Sequence, residues 1–330
     1  MPIFGDLALR LDPWETDYGS ELPLNQVPDR DSDRDVVDAD IEMARAEWRP
    51  ILPSERALAP PRLIFVDGVR RVEARAIGRR GGRVFHAVFG SYGVGHVEVT
   101  EAGAFLGEPC IERILVIGGG ESLPNPIRVG GALVYRPVST AKPDADAPLG
   151  RLQEEMRLAE ERLARQLANR DGTLVVADGP LTFADPVRGS AVGYIKRIFL
   201  LYIDTPLLEV LAALPPGARS PLFGLKTPER FARYSWFLRL AQAHPGESDL
   251  AGIVRLEVSD AVGFEAARRL ANDTAGLLPR FVPSRGRDPR APQNLLPIGA
   301  LESQLRRRLG DARLVRRRIA TVIAQEDAHA

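Results

Sequence analysis

The sequence predicts an α/β protein: a mixed sheet flanked by helices, with an N-terminal appendage and a C-terminal helical segment. Three observations predict it. β-Branched and aromatic residues recur at strand spacing through 63–77 and 84–100. One long amphipathic helix reads over 149–169, where Leu152, Met156, Ala159, Leu163 and Leu167 recur three and four residues apart. A second apolar strand begins at Thr173, directly after a helix stop at Asp171-Gly172, so strands and helices interleave as a mixed sheet requires.

In chain order, residues 1–60 read as the appendage. Pro13, Pro23 and Pro28 interrupt it, an acidic run follows, and one short helix is expected over Asp38–Trp48. Pro60-Pro61 marks the start of the globular part. The first strand crosses a turn at Asp67-Gly68, and Arg79-Arg80-Gly81-Gly82 signals the next turn. A short apolar run at 111–117 ends at Gly118-Gly119-Gly120, which reads as a turn because no phosphate-loop pattern surrounds it. After the long helix come the strand ending at Asp178, then a strand or strand–helix junction at 192–203 that carries Lys196. Pro215-Pro216-Gly217 is a loop, and 234–240 and 252–258 read as strands. Residues 272–290, rich in Pro, Gly and Arg, read as an exposed loop. Two helices close the chain, 298–309 with the stripe Ile298, Leu301, Leu305 and Leu309, and about 312–325.

Composition excludes several classes. A chain of 330 residues fits one large or two ordinary domains. Lys+Arg and Asp+Glu are both 44, so net charge names no partner, but the charges are unevenly placed. Acids dominate 29–47, and arginines dominate 280–318. The basic end reads either as a phosphate-binding surface or as a solvated helix face, with Arg306, Arg307, Arg308, Arg316 and Arg317 as the nucleic-acid-binding candidates. Cys110 is the only cysteine, which excludes an internal disulfide framework and a thiolate zinc cluster. The first residues do not form a secretory signal, and the longest apolar stretch falls far short of the roughly 20 residues of a membrane span. The expectation is a soluble, cytoplasmic protein without membrane contact.

Chemistry is expected at the two Asp-Gly pairs, each following an apolar strand: Leu63-Ile64-Phe65-Val66-Asp67-Gly68 and Leu174-Val175-Val176-Ala177-Asp178-Gly179. Each Asp admits three readings: metal ligand, turn former or helix cap. Two of them could converge on one divalent ion. On the long helix, Glu160 lies about 60° from the centre of the apolar stripe and Glu161 about 160° from it, so Glu160 can reach a strand-tip site and Glu161 faces solvent. Surface pairing with Arg157 and Arg165 is the alternative. Glu302 lies about 55° from its own helix stripe, either as a further carboxylate or as the i,i+4 partner of Arg306. Lys196 either contacts a phosphate or reaches to solvent. His86 and His96 read as structural, and Tyr234, Trp236 and Phe237 as core or as base-stacking residues.

These residues resemble the NurA family of nucleases, which work with the HerA hexameric DNA translocase. The resemblance rests on FVDGVRR at 65–71, MRLAEERLA at 156–164, VVADGPL at 175–181, GYIKRI at 193–198 and PQNLLPIGALESQLR at 292–306. It spans about 60–310, which makes 61–310 the nuclease domain and 311–330 a basic C-terminal helix. It implies an RNase H-like core, Mn²⁺ or Mg²⁺ as cofactor, a homodimer, a HerA-type ATPase partner and resection of DNA ends. The metal ligands it implies are Asp67, Asp178 and a helix carboxylate, assigned by facing to Glu160. Lys196 matches the family's basic residue, and Glu302 joins the catalytic set. The family's C-terminal Tyr and His are absent, with Asn294, Leu301 and Glu302 in their neighbourhood. The activity expected is two-metal hydrolysis of DNA phosphodiesters, the alternative being a non-catalytic DNA-binding or translocase-regulating subunit.

Overall fold

The computed structural model describes residues 3–12, 36–53, 62–183, 190–198, 202–227, 230–284, 286 and 290–327. Its centre is one long hairpin. Strands β3 (Arg62–Arg80) and β4 (Arg83–Thr100) pair antiparallel from Leu63 opposite Val99 to Arg80 opposite Arg83, joined through Gly81-Gly82. β6 (Cys110–Ile117) lies antiparallel to β4. On the other side, β9 (Thr173–Asp178) runs parallel to β3, and β10 (Ser190–Ile195) runs parallel to β9. The order β6-β4-β3-β9-β10 is a mixed sheet flanked by helices, as the sequence predicts.

The sheet continues past both sides of this core. Beyond β10 come β13 (Ile253–Ser259), β12 (Arg230–Arg239), β11 (Phe223–Thr227) and β2 (Val36–Asp38). Beyond β6 come β8 (Leu133–Ser139) and β7 (Ile127–Gly130), while β1 (Ala8–Leu11) pairs with the far end of β3 and β5 (Gly103–Leu106) with β4. Residues of the first sixty therefore enter the sheet at two places.

Strand periodicity sorts the core into two faces. Ile64, Val66 and Val175 meet Ala164, Leu167 and Ala168 of helix α1 (Ala147–Ala168). The alternate residues Leu63, Phe65, Leu174 and Val176 meet Ala267 and Ala271 of α3 (Phe264–Leu277) and Ile298 of α4 (Leu296–Arg308). Each such fully buried aliphatic side chain contributes about 1.5–3 kcal/mol. Leu301 and Leu305 of α4 pack on Val69 and Val97, and α5 (Ala312–Asp327) packs in a separate cluster around Phe4, Phe89 and Tyr135.

Several expectations change. Asp67-Gly68 is not a turn: β3 passes straight through it. No helix covers Asp38–Trp48; β2 and a single 3-10 turn (Arg45–Glu47) stand there, tied by the Trp48 indole donating to the Ala39 carbonyl at 2.9 Å. Residues 272–281 are not an exposed loop but the end of α3 and a 3-10 turn, with Thr274, Ala275, Leu277 and Leu278 buried. Composition misled there, because the arginines and prolines begin only at Pro279, past the apolar stripe of the helix. Helix α2 (Thr205–Ala212) was not foreseen. Trp236 and Phe237 are core residues, so base stacking by them is ruled out, and Tyr234 is partly buried against the same cluster. Pro60-Pro61, Arg285 and Arg287 lie outside the described residues.

Candidate metal centre

Register brings the two aspartates together. β3 and β9 pair in parallel as far as Val66 opposite Ala177, so the next residues, Asp67 and Asp178, stand level and on the same face. β9 ends there, and Gly179 turns away with φ +98°, a conformation that only glycine adopts without strain. β3 continues, so Asp67 sits in the middle of a strand but at the point where its parallel neighbour stops. On β10, Tyr194 stands opposite Asp178, and Lys196 follows two residues later, just past the strand end.

From the opposite layer α4 supplies Glu302. One carboxylate oxygen each of Asp67, Asp178 and Glu302 lies within 4.8 Å of the other two. Asp67 and Glu302 are buried, and Asp178 is half-buried. Lys196 Nζ donates to Asp178 Oδ2 at 2.7 Å and to Asn294 Oδ1 at 2.7 Å, and stands 3.8 Å from Glu302 Oε1. The expected pairing of Glu302 with Arg306 is not the one found. Arg290 holds Glu302 instead, through two bonds of 2.9 and 2.6 Å.

Glu160 enters from α1, on the other side of the sheet, through the gap left where β9 ends. It lies against Gly68 so closely that a Cβ there would stand 2.3 Å from Glu160 Oε1. Glu160 is thus turned inward as its facing requires, and it makes no ion pair with Arg157. Glu161 is partly, not fully, exposed.

The electrostatics follow from this crowding. Burial, and then the carboxylates of Asp178, Glu160 and Glu302, hold the Asp67 carboxyl well above the usual range, against the opposing pull of Lys196. Burial and Asp178 push Glu160 up to about 8. Lys196 is raised: burial opposes its charge, but Asp178, Asp67 and Glu302 outweigh burial, so it is an ammonium. Asp67 Oδ1 accepts from the Gly68 amide at 2.7 Å, whereas the buried Oδ2 has no hydrogen-bond partner among the described residues. An orphaned carboxylate oxygen beside two further carboxylates fits a hard divalent cation, which takes oxygen ligands and supplies the missing partner.

Helix α4 is itself locked. Arg71 donates to the carbonyls of Gly310 (2.6 Å) and Leu309 (2.9 Å), and Arg113 donates to Leu309 at 3.0 Å. Both guanidiniums also bind buried Glu73, at 2.9 Å each, and Ser91 and Tyr135 donate to the same carboxylate. Two cations at a helix C-terminus satisfy its free carbonyls and oppose its dipole, which keeps α4 and Glu302 in place.

Of the residues that the sequence singled out, Asp67, Asp178, Glu302, Lys196 and Glu160 therefore converge. The arginines do not all join them. Arg306, Arg307 and Arg308 are exposed on the last turn of α4, whereas Arg316 (half-buried) and Arg317 (exposed) lie on α5, whose stripe packs in another cluster. Sequence reasoning missed Arg290 and Gly68 as parts of the site. Arg290 stands twelve residues before Glu302, with no helical spacing to link them, and Gly68 reads as a turn residue by default.

No family model matches the chain, and no curated protein matches its sequence. Among solved structures, the chain aligns with the crystal structure of the NurA nuclease from Sulfolobus solfataricus, at TM-score 0.40 and 14% identity over 80% of this chain and 86% of that one. At that distance the likeness assigns no residue a role. Among the described residues, no helix is long and apolar enough to cross a membrane.

Proposed function

We propose that this chain is a divalent-metal-dependent deoxyribonuclease. The observation that carries the reading is the trio Asp67, Asp178 and Glu302, with one carboxylate oxygen of each within 4.8 Å of the others, together with an Asp67 Oδ2 that has no hydrogen-bond partner among the described residues. These residues, with Glu160 beside them, would hold Mn²⁺ or Mg²⁺, the choice that an all-oxygen donor set favours. Bound there, such ions lower the pKa of a water and stabilise the oxygen that leaves phosphorus, as in two-metal phosphodiester hydrolysis. Lys196 would supply a fixed positive charge to a phosphate oxygen. Asn294 and Asp178 hold its ammonium in one place, so no reorganisation is needed when substrate arrives. Gly68 keeps the Glu160 carboxylate close to the others. Arginines 306–308 would hold the nucleic-acid backbone, with the α5 pair Arg316 and Arg317 as a more distant contribution.

The test is Asp67→Asn, which keeps shape and removes charge. Calorimetric titration with Mn²⁺ and cleavage of a labelled DNA should both succeed for the native chain and fail for the variant, with the circular dichroism spectrum unchanged. Metal-dependent cleavage at the native rate by the variant overturns the assignment. The resemblance to NurA-type sequences extends the proposal to end resection as a homodimer beside a HerA-type hexameric ATPase. Sedimentation of the chain alone and with such an ATPase tests both parts.

A second reading has its own observation. Lys196 and Arg290 already pair with Asp178 and Glu302, so the acids are partly neutralised without any ion. On that reading the chain is a non-catalytic DNA-binding or translocase-regulating subunit, and Mn²⁺ titration shows no heat that Asp67→Asn abolishes.

A further inference from the structure

We infer that the open edge of β3 beyond Asp67 is a track for a nucleic-acid strand, and that Arg70 and Arg157 form a phosphate subsite on it. The inference rests on the nuclease reading for its choice of ligand, and on separate residues for its geometry.

The edge comes from the topology. β3 pairs with β9 only as far as Val66, and with β1 only from Ala76 onward, while its other edge is occupied by β4 throughout. Asp12 donates to the Arg75 carbonyl at 2.9 Å, which closes the far end. Between these limits, from Asp67 to Ala74, the edge has no strand partner among the described residues. At ~3.3 Å per residue this is roughly 25 Å of backbone without a strand partner among the described residues, leading away from the carboxylates. α1 packs on one face of β3 and α4 on the other, so this edge lies between two helices. Arg306 stands one turn beyond Glu302 on the α4 side.

On the α1 side, Gly68 and Arg70 point to the same face of β3, two residues apart. Gln153, Arg157 and Glu160 share one flank of α1 at spacings of four and three. The two elements meet at both ends of this stretch: Glu160 against Gly68, and buried Gln153 accepting a short hydrogen bond from Arg70 Nε. Arg157 therefore lies between the two meeting points. It is half-buried and makes no hydrogen bond or ion pair among the described residues. The terminal nitrogens of Arg70 are likewise without a partner there, because its one bond is made through Nε. Burial, and then the neighbouring Arg157 cation, hold the Arg70 guanidinium below its ordinary range, while Arg157 itself also acts on the Glu160 carboxylate.

Elsewhere in the protein, half-buried or buried arginines such as Arg71, Arg113 and Arg219 are matched by carboxylates. Arg70, which has no carboxylate partner among the described residues and is oriented by the buried Gln153 amide, and Arg157 beside it offer the fork geometry that binds a phosphodiester, with Glu160 the carboxylate that acts on Arg157. Arg70 stands three residues, about 10 Å along the strand, from Asp67 and faces α1 whereas Asp67 faces α4, so the subsite takes a phosphate that lies across the edge of β3 from the reacting one.

The experiment measures binding of a fluorescent single-stranded DNA by anisotropy, without metal, across a salt series. Arg157→Gln and Arg70→Gln should each weaken binding about tenfold, and each should lower the slope of log affinity on log salt by about 0.7. Arg157 makes no hydrogen bond among the described residues and acts on Glu160 through charge alone, so its variant should fold normally, and Arg128→Gln on β7 serves as an exposed control expected to bind like the native chain. Native affinity and native slope in both variants overturn the subsite, as does a native chain that does not bind DNA. Mn²⁺ calorimetry on the same samples keeps the two claims apart. Metal bound with no arginine effect removes the subsite alone, and an arginine effect without metal binding removes the nuclease reading alone.

Discussion

Gly68→Ala separates the site from the fold in one substitution. Gly68 lies inside β3, where its φ is open to any residue, so alanine is compatible with the strand and should raise stability by about 0.4–1 kcal/mol through the unfolded state. The new Cβ would stand 2.3 Å from Glu160 Oε1 and 3.0 Å from its carboxyl carbon. Relief needs only a swing of the end of a flexible side chain, by roughly 1 Å to reach ordinary contact distance. That movement costs the fold little but takes Glu160 out of the centre and away from the Gly68 amide, which favours its charge. A displacement of that size in a group supporting a metal typically costs about 10–100-fold in affinity. The assay pairs Mn²⁺ calorimetry with thermal unfolding. A melting temperature equal to or above that of the native chain, with metal affinity reduced at least tenfold, is the expected result. Native metal affinity in Gly68→Ala would refute the placement of Glu160 in the metal centre.

Three further outcomes follow from the same contacts. Glu160, with its folded-state pKa of about 8 against ~4.3 unfolded, binds its proton more tightly in the folded chain. Metal-free stability should therefore fall, on the order of a few kcal/mol, as pH rises from about 4.5 through 8, and Mn²⁺ affinity should rise by up to about tenfold per pH unit over pH 6–8 as the proton is displaced; urea melts and calorimetry across that range check both signs. Glu73→Gln leaves Arg71 and Arg113 facing each other without their carboxylate, so a loss of about 3–5 kcal/mol is expected, and an unchanged calorimetric melting temperature would count against the clamp on α4. Arg290→Gln frees Glu302 from a competing cation and should tighten Mn²⁺ binding severalfold, an effect that weaker or equal binding in titration would contradict.

Much of this was legible in the residues, and what was not has identifiable causes. Periodicity alone placed β3, β4, α1, β9, α4 and α5 to within a few residues, because each buries one apolar stripe or alternates across a pleat. The facing of Glu160 and Glu302 at the borders of their stripes is a local property of a helix, and both stand at the carboxylate centre. Asp38–Trp48 and 272–290 misled because tertiary pairing overrode local composition: β2 is a strand only because β11 is there to pair with it.

The sequence by itself determined that two aspartates follow apolar runs, that two helix glutamates sit at the edge of a buried face, and that a lysine lies within a further apolar stretch. Those are consequences of local spacing. Only the tertiary structure decided that Asp67 lies mid-strand and level with Asp178, since register between β3 and β9 depends on how whole strands pair. It alone decided that Glu160 passes over Gly68, that Arg290 rather than Arg306 meets Glu302, and that β3 has no strand partner from Asp67 to Ala74 among the described residues. Each of these depends on residues far apart in the chain, set by packing that no window of sequence contains.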